Sequence, residues 1–138
     1  MKKFKRILLI DDNDADNFMH ALILKKLDCF EEIVAKLDGV KALEYLSTKE
    51  DEEYPKPDFI LLDINMPRMN GWEFIEEYKK LDDDVKGGPI LMMLSTSLNP
   101  EDVERANQDS TINSFMNKPL NAEAMKEAIA QHHPDFFD

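Results

Sequence analysis

The sequence predicts an α/β fold in which a parallel β-sheet has helices on both faces. Short apolar runs alternate along the chain with longer segments of helical period, which is the pattern of βαβ units. One run, residues 58–64, is apolar almost throughout, as in a strand that is buried on both faces. The chain has 138 residues, of which 43% are hydrophobic, and this length allows one domain with a core of its own.

Five segments have the length and composition of β-strands. The third is the clearest, because its apolar residues are uninterrupted from Phe59 to Leu62. The second is the weakest, because Lys36 interrupts its apolar pattern. The predicted strands cover residues 5–10, 32–37, 58–64, 90–94 and 112–117.

Capping residues mark where the predicted helices begin. Asn13 or Asp14 caps the first helix, and Asn121 caps the last one. Asn99 and Pro100 give the fourth helix a cap and a proline in its first turn. The apolar face of the first helix is predicted to include Phe18, Leu22 and Leu27. The other helices are predicted at residues 39–48, 72–81, 98–107 and 121–133, and the acidic segment 82–88 is predicted to be a loop.

Five βα units of this size are typical of the flavodoxin-like fold, whose parallel sheet has the strand order 2-1-3-4-5. Right-handed crossover connections place the helices on both faces of such a sheet. Because the strand order reverses between strands 1 and 3, a ligand site is expected beyond the carboxyl ends of those strands. We expect a single domain over residues 1–138, with its core at about residues 4–132 and a short C-terminal tail that either frays or covers a neighbouring surface.

The charge composition disfavours some classes of partner. The chain has 17 basic and 29 acidic residues, and its net charge is −12. Such a surface repels nucleic acid and anionic membranes, so we expect the protein to bind neither. No segment approaches the ~20 apolar residues of a membrane span, and the apolar run after the basic N-terminus is too short for a signal peptide, so a cytoplasmic location is expected. Cys29 is the only cysteine, which excludes an internal disulfide and a zinc framework.

Acidic residues follow two neighbouring strands of the predicted sheet. Asp11 and Asp12 come directly after the first strand, and Asp63 lies at the end of the third. Because these strand ends meet at one edge of the sheet, the three carboxylates are expected to share a small site. Two carboxylates ~4 Å apart repel each other by ~4 kcal/mol at an effective dielectric constant near 20, so a proton, a lysine or a metal ion must compensate them. Hard oxygen ligands with room for water and phosphate favour Mg²⁺.

A calcium loop is the alternative interpretation of these aspartates. Asp12, Asp14 and Asp16 alternate like the first three ligands of an EF-hand. The position that requires glycine is then Asn17, and the position of the closing glutamate is Ile23. The calcium-loop interpretation therefore fails, and Asp14 and Asp16 are interpreted as helix-start residues that the helix dipole favours.

Two further polar side chains follow other strands of the sheet. Ser95 comes after the fourth strand and Lys118 after the fifth. A hydroxyl and an ammonium beside Mg²⁺ can hold the oxygens of a phosphoryl group during its transfer. A carboxylate in line with that group can act as the nucleophile and form an aspartyl phosphate. Asp63 is the candidate nucleophile, because it lies centrally while Asp11 and Asp12 can hold the metal beside it.

Four motifs, in their order and spacing, resemble the receiver domain of two-component response regulators. They are IDD at residues 10–12, LLDINMPRMNG at residues 61–71, MLSTS at residues 93–97 and FMNKP at residues 115–119. Each motif alone is weak, but the combination is specific and covers nearly the whole chain. The resemblance is to the stand-alone, chemotaxis-regulator-like type.

The resemblance implies a role for each residue of the site. Asp63 would accept a phosphoryl group from a phosphohistidine on a sensor histidine kinase or a histidine phosphotransfer protein. Asp12 would bind Mg²⁺ directly, Asp11 would bind it largely through water, and the backbone carbonyl of Asn65 would be a further ligand. Lys118 would pair with Asp63 and then with the phosphoryl group.

The same resemblance implies a conformational switch. Ser95 would move towards a phosphoryl oxygen and Phe115 would follow it inward, which would reshape the surface formed by helix 4, strand 5 and helix 5 for an unknown downstream protein. Pro119 would follow Lys118 through a cis peptide bond. The family more often has threonine at the position of Ser95 and frequently has tyrosine at that of Phe115. Thr96 stands where a small residue is usual and could crowd the phosphoryl group.

Three other functions are compatible with the sequence to different degrees. A phosphorelay intermediate would have the same site as a terminal regulator. A hydrolase of the haloacid-dehalogenase type would use the D-x-D motif formed by Asp12, Asn13 and Asp14, but such enzymes normally need more chain to cover the substrate. A pseudo-receiver would bind partners without phosphorylation, and the complete acid, lysine and hydroxyl set argues against it. We therefore expect a signalling protein rather than an enzyme, and Phe136 and Phe137 could form a homodimer contact.

Overall fold

Five strands and six helices form the part of the chain that the computed structural model describes, residues 3–96 and 99–137. The strands are β1 (Phe4–Ile10), β2 (Phe30–Lys36), β3 (Phe59–Asp63), β4 (Ile90–Ser95) and β5 (Ser114–Asn117). The helices are α1 (Asp14–Leu27), α2 (Gly39–Leu46), α3 (Gly71–Lys79), α4 (Asp83–Lys86), α5 (Pro100–Gln108) and α6 (Ala122–His132). All strand pairs are parallel and the order is β2-β1-β3-β4-β5, which confirms the predicted fold class and strand order. Ser97 of the third motif and Leu98 of the predicted fourth helix lie outside the described residues, as do both ends of the predicted domain, residues 1–2 and 138.

The sheet separates two hydrophobic cores. Successive residues of a strand point to opposite faces, so Leu8 and Ile10 of β1 belong to one core and Ile7 and Leu9 to the other. The first core is closed by α2, α3 and α5, and the second by α1 and α6. These four side chains of β1 are at most 1% exposed, as expected for a parallel sheet that is covered on both faces.

The carboxyl ends of the strands lie side by side and form the edge that carries the polar motifs. Ile10 of β1 pairs with Leu62 of β3, so Asp11 and Asp63 are the next residues on two neighbouring strands. The final residues of β4 and β5 also pair with each other. Lys118, which directly follows β5, therefore lies at the same edge of the sheet.

The buried face of α1 differs from the prediction. Phe18 is 64% exposed and Leu22 is 38% exposed, whereas Asn17, His20 and Leu24 are buried. The prediction of Phe18 and Leu22 on the apolar face was wrong because the first turns of α1 cover the acidic edge of the sheet, where polar side chains are needed. Leu27, the third residue predicted on that face, is partly buried against the core.

The acidic segment 82–88 was predicted to be a loop, but part of it is helical. Residues 83–86 form the short helix α4, in which the Lys86 amide donates to the Asp82 carbonyl at 3.1 Å. Val85 is 8% exposed. Burial of this apolar side chain stabilises the helical turn, which a fully solvated loop would lack. The helices predicted as the fourth and fifth are therefore α5 and α6.

The predicted caps of three helices are confirmed. Side chains of Asn13, Asn99 and Asn121 accept backbone N–H groups at the starts of α1, α5 and α6. Cys29 is buried among apolar residues. In the C-terminal tail, the ring of Phe136 stacks on that of Phe4 at a centroid distance of 4.5 Å, so the tail covers the amino end of the sheet. Within the described ranges, no helix is long and apolar enough to cross a membrane.

The single tryptophan joins the start of α3 to α5. Trp72 is 7% exposed and packs in the core on the α3 side of the sheet. Its indole N–H donates to Asp102 Oδ1 at 3.0 Å, and the Arg105 guanidinium lies 4.4 Å from the ring centroid, in the range of a cation–π contact. Both partners belong to α5, so this helix and the first turn of α3 are held together.

Candidate functional site

Three carboxylates converge at the carboxyl edge of the sheet. Asp11, Asp12 and Asp63 each offer an oxygen, and these oxygens all lie within 4.8 Å of one another. Asp11 and Asp63 are buried, at 3% and 5% exposure, whereas Asp12 is exposed. The site therefore has a closed side inside the fold and an open side where water or a ligand can enter.

The chemistry of this donor set fits Mg²⁺. Mg²⁺ is usually bound by one or two carboxylates and keeps several waters or phosphate oxygens. The three carboxylates line a surface cavity of about 190 Å³ together with Asn65 and Thr96. Close carboxylates repel each other, and a divalent cation removes that repulsion. Asp11, Asp12 and Asp63 could therefore hold Mg²⁺, with Asn65 beside them.

One ammonium group lies among these carboxylates. Lys118 Nζ is 2.6 Å from Asp11 Oδ2, 2.9 Å from Asp16 Oδ2 and 3.3 Å from Asp63 Oδ1, and its side chain is 9% exposed. Burial acts to lower the pKa of Lys118, but hydrogen bonds to Asp11 and Asp16 and the charges of Asp11 and Asp63 raise it above its ordinary value. Lys118 is therefore a fixed positive charge at neutral pH, and Asp63 is the most distant of its three partners.

The environment of Asp63 makes its carboxylate unusually basic. Burial raises the pKa of Asp63, the neighbouring charges of Asp11 and Asp12 raise it further, and Lys118 opposes the change. The result is a pKa of about 6 instead of 3.8. Asp63 is therefore ionised near neutral pH, yet it is a stronger base than an exposed aspartate, which suits a nucleophile.

The start of α1 fixes the position of Asp11. The Asn13 backbone N–H donates to Asp11 Oδ1 at 3.0 Å, and Asn17 Nδ2 donates to the Asp11 backbone carbonyl at 2.9 Å. Asn17 is 5% exposed, so this second bond is shielded from water. With its backbone and Oδ1 held, Asp11 presents Oδ2 to Lys118.

Asp16 is the residue of the site that the sequence interpretation missed. It was interpreted as a helix-start residue only, but its carboxylate hydrogen-bonds Lys118 and lines the cavity. Its position in the sequence could have indicated this role, because Asp16 is the third residue of a helix that begins at the acidic edge of the sheet. Asp14, in the same turn, is exposed, in agreement with its interpretation as a helix-start residue.

The predicted switch residues lie on the two strands beyond β3. Ser95 ends β4, is 1% exposed, and its backbone carbonyl accepts the Lys118 amide at 2.7 Å. Phe115 in β5 is partly buried and packs against the core on the α3 side. The Lys118–Pro119 peptide bond is cis, as the family resemblance implies.

His20 and His133 lie on different elements of the fold, and neither belongs to the group of residues that could hold a metal ion. His20 is 4% exposed on α1, and burial lowers its pKa. The His133 ring lies 4.8 Å from that of Phe4, at the amino end of the sheet. Within the described residues, the one group that could hold a metal ion contains Asp11, Asp12 and Asp63.

The start of α3 packs closely against the backbone of Asp63 and Ile64. The Gly71 amide donates to the Ile64 carbonyl at 2.8 Å. A Cβ atom at Gly71 would lie 2.9 Å from the Asp63 carbonyl oxygen and 2.9 Å from the Ile64 Cα. Both neighbours are backbone atoms and cannot rotate away, so this close approach of α3 to the end of β3 requires glycine.

We expect Gly71→Ala to lower the free energy of unfolding by about 1–3 kcal/mol, because the new methyl group forces the backbone at Asp63 to shift. Gly88→Ala is the matched control, since nothing lies within 4 Å of a Cβ placed there. Urea unfolding of the two variants provides the measurement. Equal stability of the two variants would contradict the close packing described for Gly71.

The comparisons with known proteins agree with this fold. The family model for the response regulator receiver domain matches residues 7–130. Response regulator Rcp1 of Synechocystis is 35% identical over 118 residues, which cover 85% of this chain and 78% of Rcp1. The chain therefore belongs to the response regulator receiver domain family, a class of signalling proteins of two-component systems.

Solved structures give the same result. A two-component response regulator from Cytophaga hutchinsonii superposes with a TM-score of 0.82 at 31% identity, covering 97% of this chain and 100% of that protein. The Mn²⁺-bound form of Rcp1 superposes with a TM-score of 0.72 at 29% identity, covering 95% of each chain. This chain is thus similar over nearly its full length to a receiver that binds a divalent cation.

Proposed function

We propose that this protein accepts a phosphoryl group on Asp63 in a Mg²⁺-dependent reaction and thereby switches a protein-binding surface. The donor is the phosphohistidine of a sensor histidine kinase or of a histidine phosphotransfer protein. The single observation that carries the proposal is the arrangement of the buried carboxylate of Asp63 beside one ammonium and two further carboxylates at an open cavity.

The side chains divide the work of the transfer. An Oδ atom of Asp63 attacks phosphorus, a P–O bond forms, and the P–N bond to the histidine breaks, with its electron pair returning to the imidazole ring. Lys118 donates to the phosphoryl oxygens and offsets their charge. Asp11 and Asp12, with the backbone carbonyl of Asn65, would hold Mg²⁺, which would neutralise charge on the transferring group.

The added phosphate would change the charge at this edge of the sheet. It carries about −1.5 to −2 charges at pH 7, and a nearly complete switch between two states needs ~5.5 kcal/mol of differential stabilisation. New bonds from the phosphoryl group to Lys118 and to the hydroxyl of Ser95 contribute to that difference. Because Ser95 ends β4 and Phe115 lies on the adjacent β5, the change would reach the surface formed by α5, β5 and α6, where a downstream protein would bind.

Mass spectrometry after treatment with acetyl phosphate and Mg²⁺ tests the proposal. We expect the wild-type protein to gain one phosphoryl group and Asp63→Asn to gain none, because the amide is not a nucleophile. Asp84→Asn, which removes an exposed carboxylate of α4, should be labelled like the wild type. Full labelling of Asp63→Asn, or labelling of the wild type without any divalent cation, would refute the assignment.

The alternative functions receive less support. A hydrolase of the haloacid-dehalogenase type would use Asp12 as its nucleophile, but Asp12 is exposed whereas Asp63 is buried next to Lys118. A pseudo-receiver has no need for a buried carboxylate pair, which lowers stability. A relay intermediate and a terminal regulator would share this chemistry and differ in whether a second histidine protein removes the phosphoryl group.

A further inference from the structure

We propose that Asp16 is a positioning residue that holds Lys118 in the resting state and must release it when Asp63 is phosphorylated. This inference rests on the proposed function of Asp63 and Lys118. Asp16 Oδ2 lies 2.9 Å from Lys118 Nζ, which is closer than Asp63 Oδ1 at 3.3 Å. Two of the three ammonium hydrogens are thus engaged by Asp11 and Asp16.

The construction of α1 directs Asp16 towards Lys118. Asp16 occupies the third helical position, where a glutamate can accept the backbone N–H of the N-cap residue. Helix α3 has that arrangement, because Glu73 accepts the Asn70 amide at 3.0 Å. In α1 the corresponding amide, that of Asn13, donates to Asp11 instead. The carboxylate of Asp16 is therefore not used for capping and is free to bind Lys118.

Burial distinguishes the two carboxylates that hydrogen-bond Lys118. The Asp11 side chain is 4% exposed, whereas that of Asp16 is 37% exposed. Loss of Lys118 would leave Asp11 with a buried, uncompensated charge, but Asp16 would regain water as a partner. Asp16 is therefore the partner from which Lys118 can dissociate at the lower cost when a phosphoryl group arrives.

The same geometry gives Asp16 two opposite effects on the site. Its negative charge attracts a divalent cation and keeps Lys118 from pairing fully with Asp63, so it favours binding of Mg²⁺. Asp16 also lines the cavity that would receive the phosphoryl group. There it competes for Lys118 and repels the incoming anion, so it disfavours the phosphorylated state.

Two binding measurements on Asp16→Asn separate these effects. We expect the variant to bind Mg²⁺ about three- to tenfold more weakly in a calorimetric titration, because one nearby negative charge is lost. At saturating Mg²⁺ we expect it to bind beryllium fluoride, a phosphoryl mimic that attaches to aspartate, at least about threefold more tightly. A residue that only stabilised the fold would not move the two affinities in opposite directions.

Asp14→Asn is the matched control, because it removes the same charge from the same helical turn at an exposed position. It should leave both affinities within about twofold of the wild type, because the charge it removes is exposed to solvent. Asp16→Glu should restore at least part of the Mg²⁺ affinity that Asp16→Asn loses. The inference is overturned if Asp16→Asn behaves like Asp14→Asn, or if both affinities change in the same direction.

The failure of this inference is distinguishable from the failure of the proposed function. If the wild type binds neither beryllium fluoride nor a phosphoryl group from acetyl phosphate, both the assignment of Asp63 and the competition by Asp16 are refuted. If the wild type is labelled on Asp63 but Asp16→Asn is unchanged in both binding assays, only the role of Asp16 is refuted.

Discussion

Asp63→Asn is expected to raise the free energy of unfolding of the metal-free protein by about 3 kcal/mol at about pH 7.5. The pKa of Asp63 is raised to about 6 from an ordinary value of 3.8, so the folded state holds a proton that the unfolded state has already released between these pH values. The stability of the wild type therefore falls as the pH rises from about 4 to about 6 and stays lower above that range. Asparagine has the shape of the neutral acid and does not titrate.

Urea unfolding at several pH values measures this difference. The two proteins should have similar stability near pH 4 and should diverge as the pH approaches about 7. Mg²⁺ should reduce the difference, because the ionised carboxylate of Asp63 is one of the groups that could hold the cation. Asp84→Asn serves as the control and should change the stability by less than about 0.5 kcal/mol. A destabilised Asp63→Asn in the absence of metal would show that burial of this carboxylate is not costly.

Lys118→Met is expected to have the opposite effect and to lower the free energy of unfolding by about 3–5 kcal/mol at about pH 7.5 without metal. The methionine keeps the apolar stem but removes the ammonium that lies within 3.3 Å of three carboxylates. Asp11 and Asp63 then remain buried without a compensating cation. Protonation of Asp63 limits the loss, so the destabilisation should be smaller at about pH 5.

Chemical unfolding with and without MgCl₂ tests this expectation, because a divalent cation can replace the missing charge and should restore a large part of the stability. Lys80→Met is the control. Its ion pair with Glu77 joins two exposed side chains, and such pairs contribute about 0–1 kcal/mol. Lys118 would not be the main compensating charge if Lys118→Met were as stable as Lys80→Met. The same conclusion would follow if Mg²⁺ stabilised Lys118→Met no more than it stabilises Lys80→Met.

The fold was predictable because the hydrophobic periodicity of the helices and strands, and the polar residues at the strand ends, can be recognised in short stretches of sequence. The alternation of short apolar runs and helical segments predicted five parallel strands, and the reversal of strand order between strands 1 and 3 predicted that Asp11, Asp12 and Asp63 lie together. The metal-binding set in the structure contains the same three residues. These predictions depend on backbone topology, which the hydrophobic pattern determines.

The parts that could not be predicted depend on the rotation of individual helices and on the contacts of single side chains. The buried face of α1 contains Asn17 and His20. Because these side chains are polar, the apolar periodicity of the sequence does not include them. Asp16 has the composition of an ordinary helix start, and only the path of Lys118 across the edge of the sheet reveals its partner. The helix α4 is a single turn, too short to have a period of its own.

The contact between Trp72 and α5 also has a practical consequence. The chain has one tryptophan, and its indole is held by Asp102 and Arg105 on a helix of the proposed output surface. If phosphorylation moves that helix relative to α3, as the proposed function requires, the polarity around the ring changes, and the intrinsic fluorescence of the native protein is expected to report the movement. The kinetics of the proposed switch can then be followed without an attached dye.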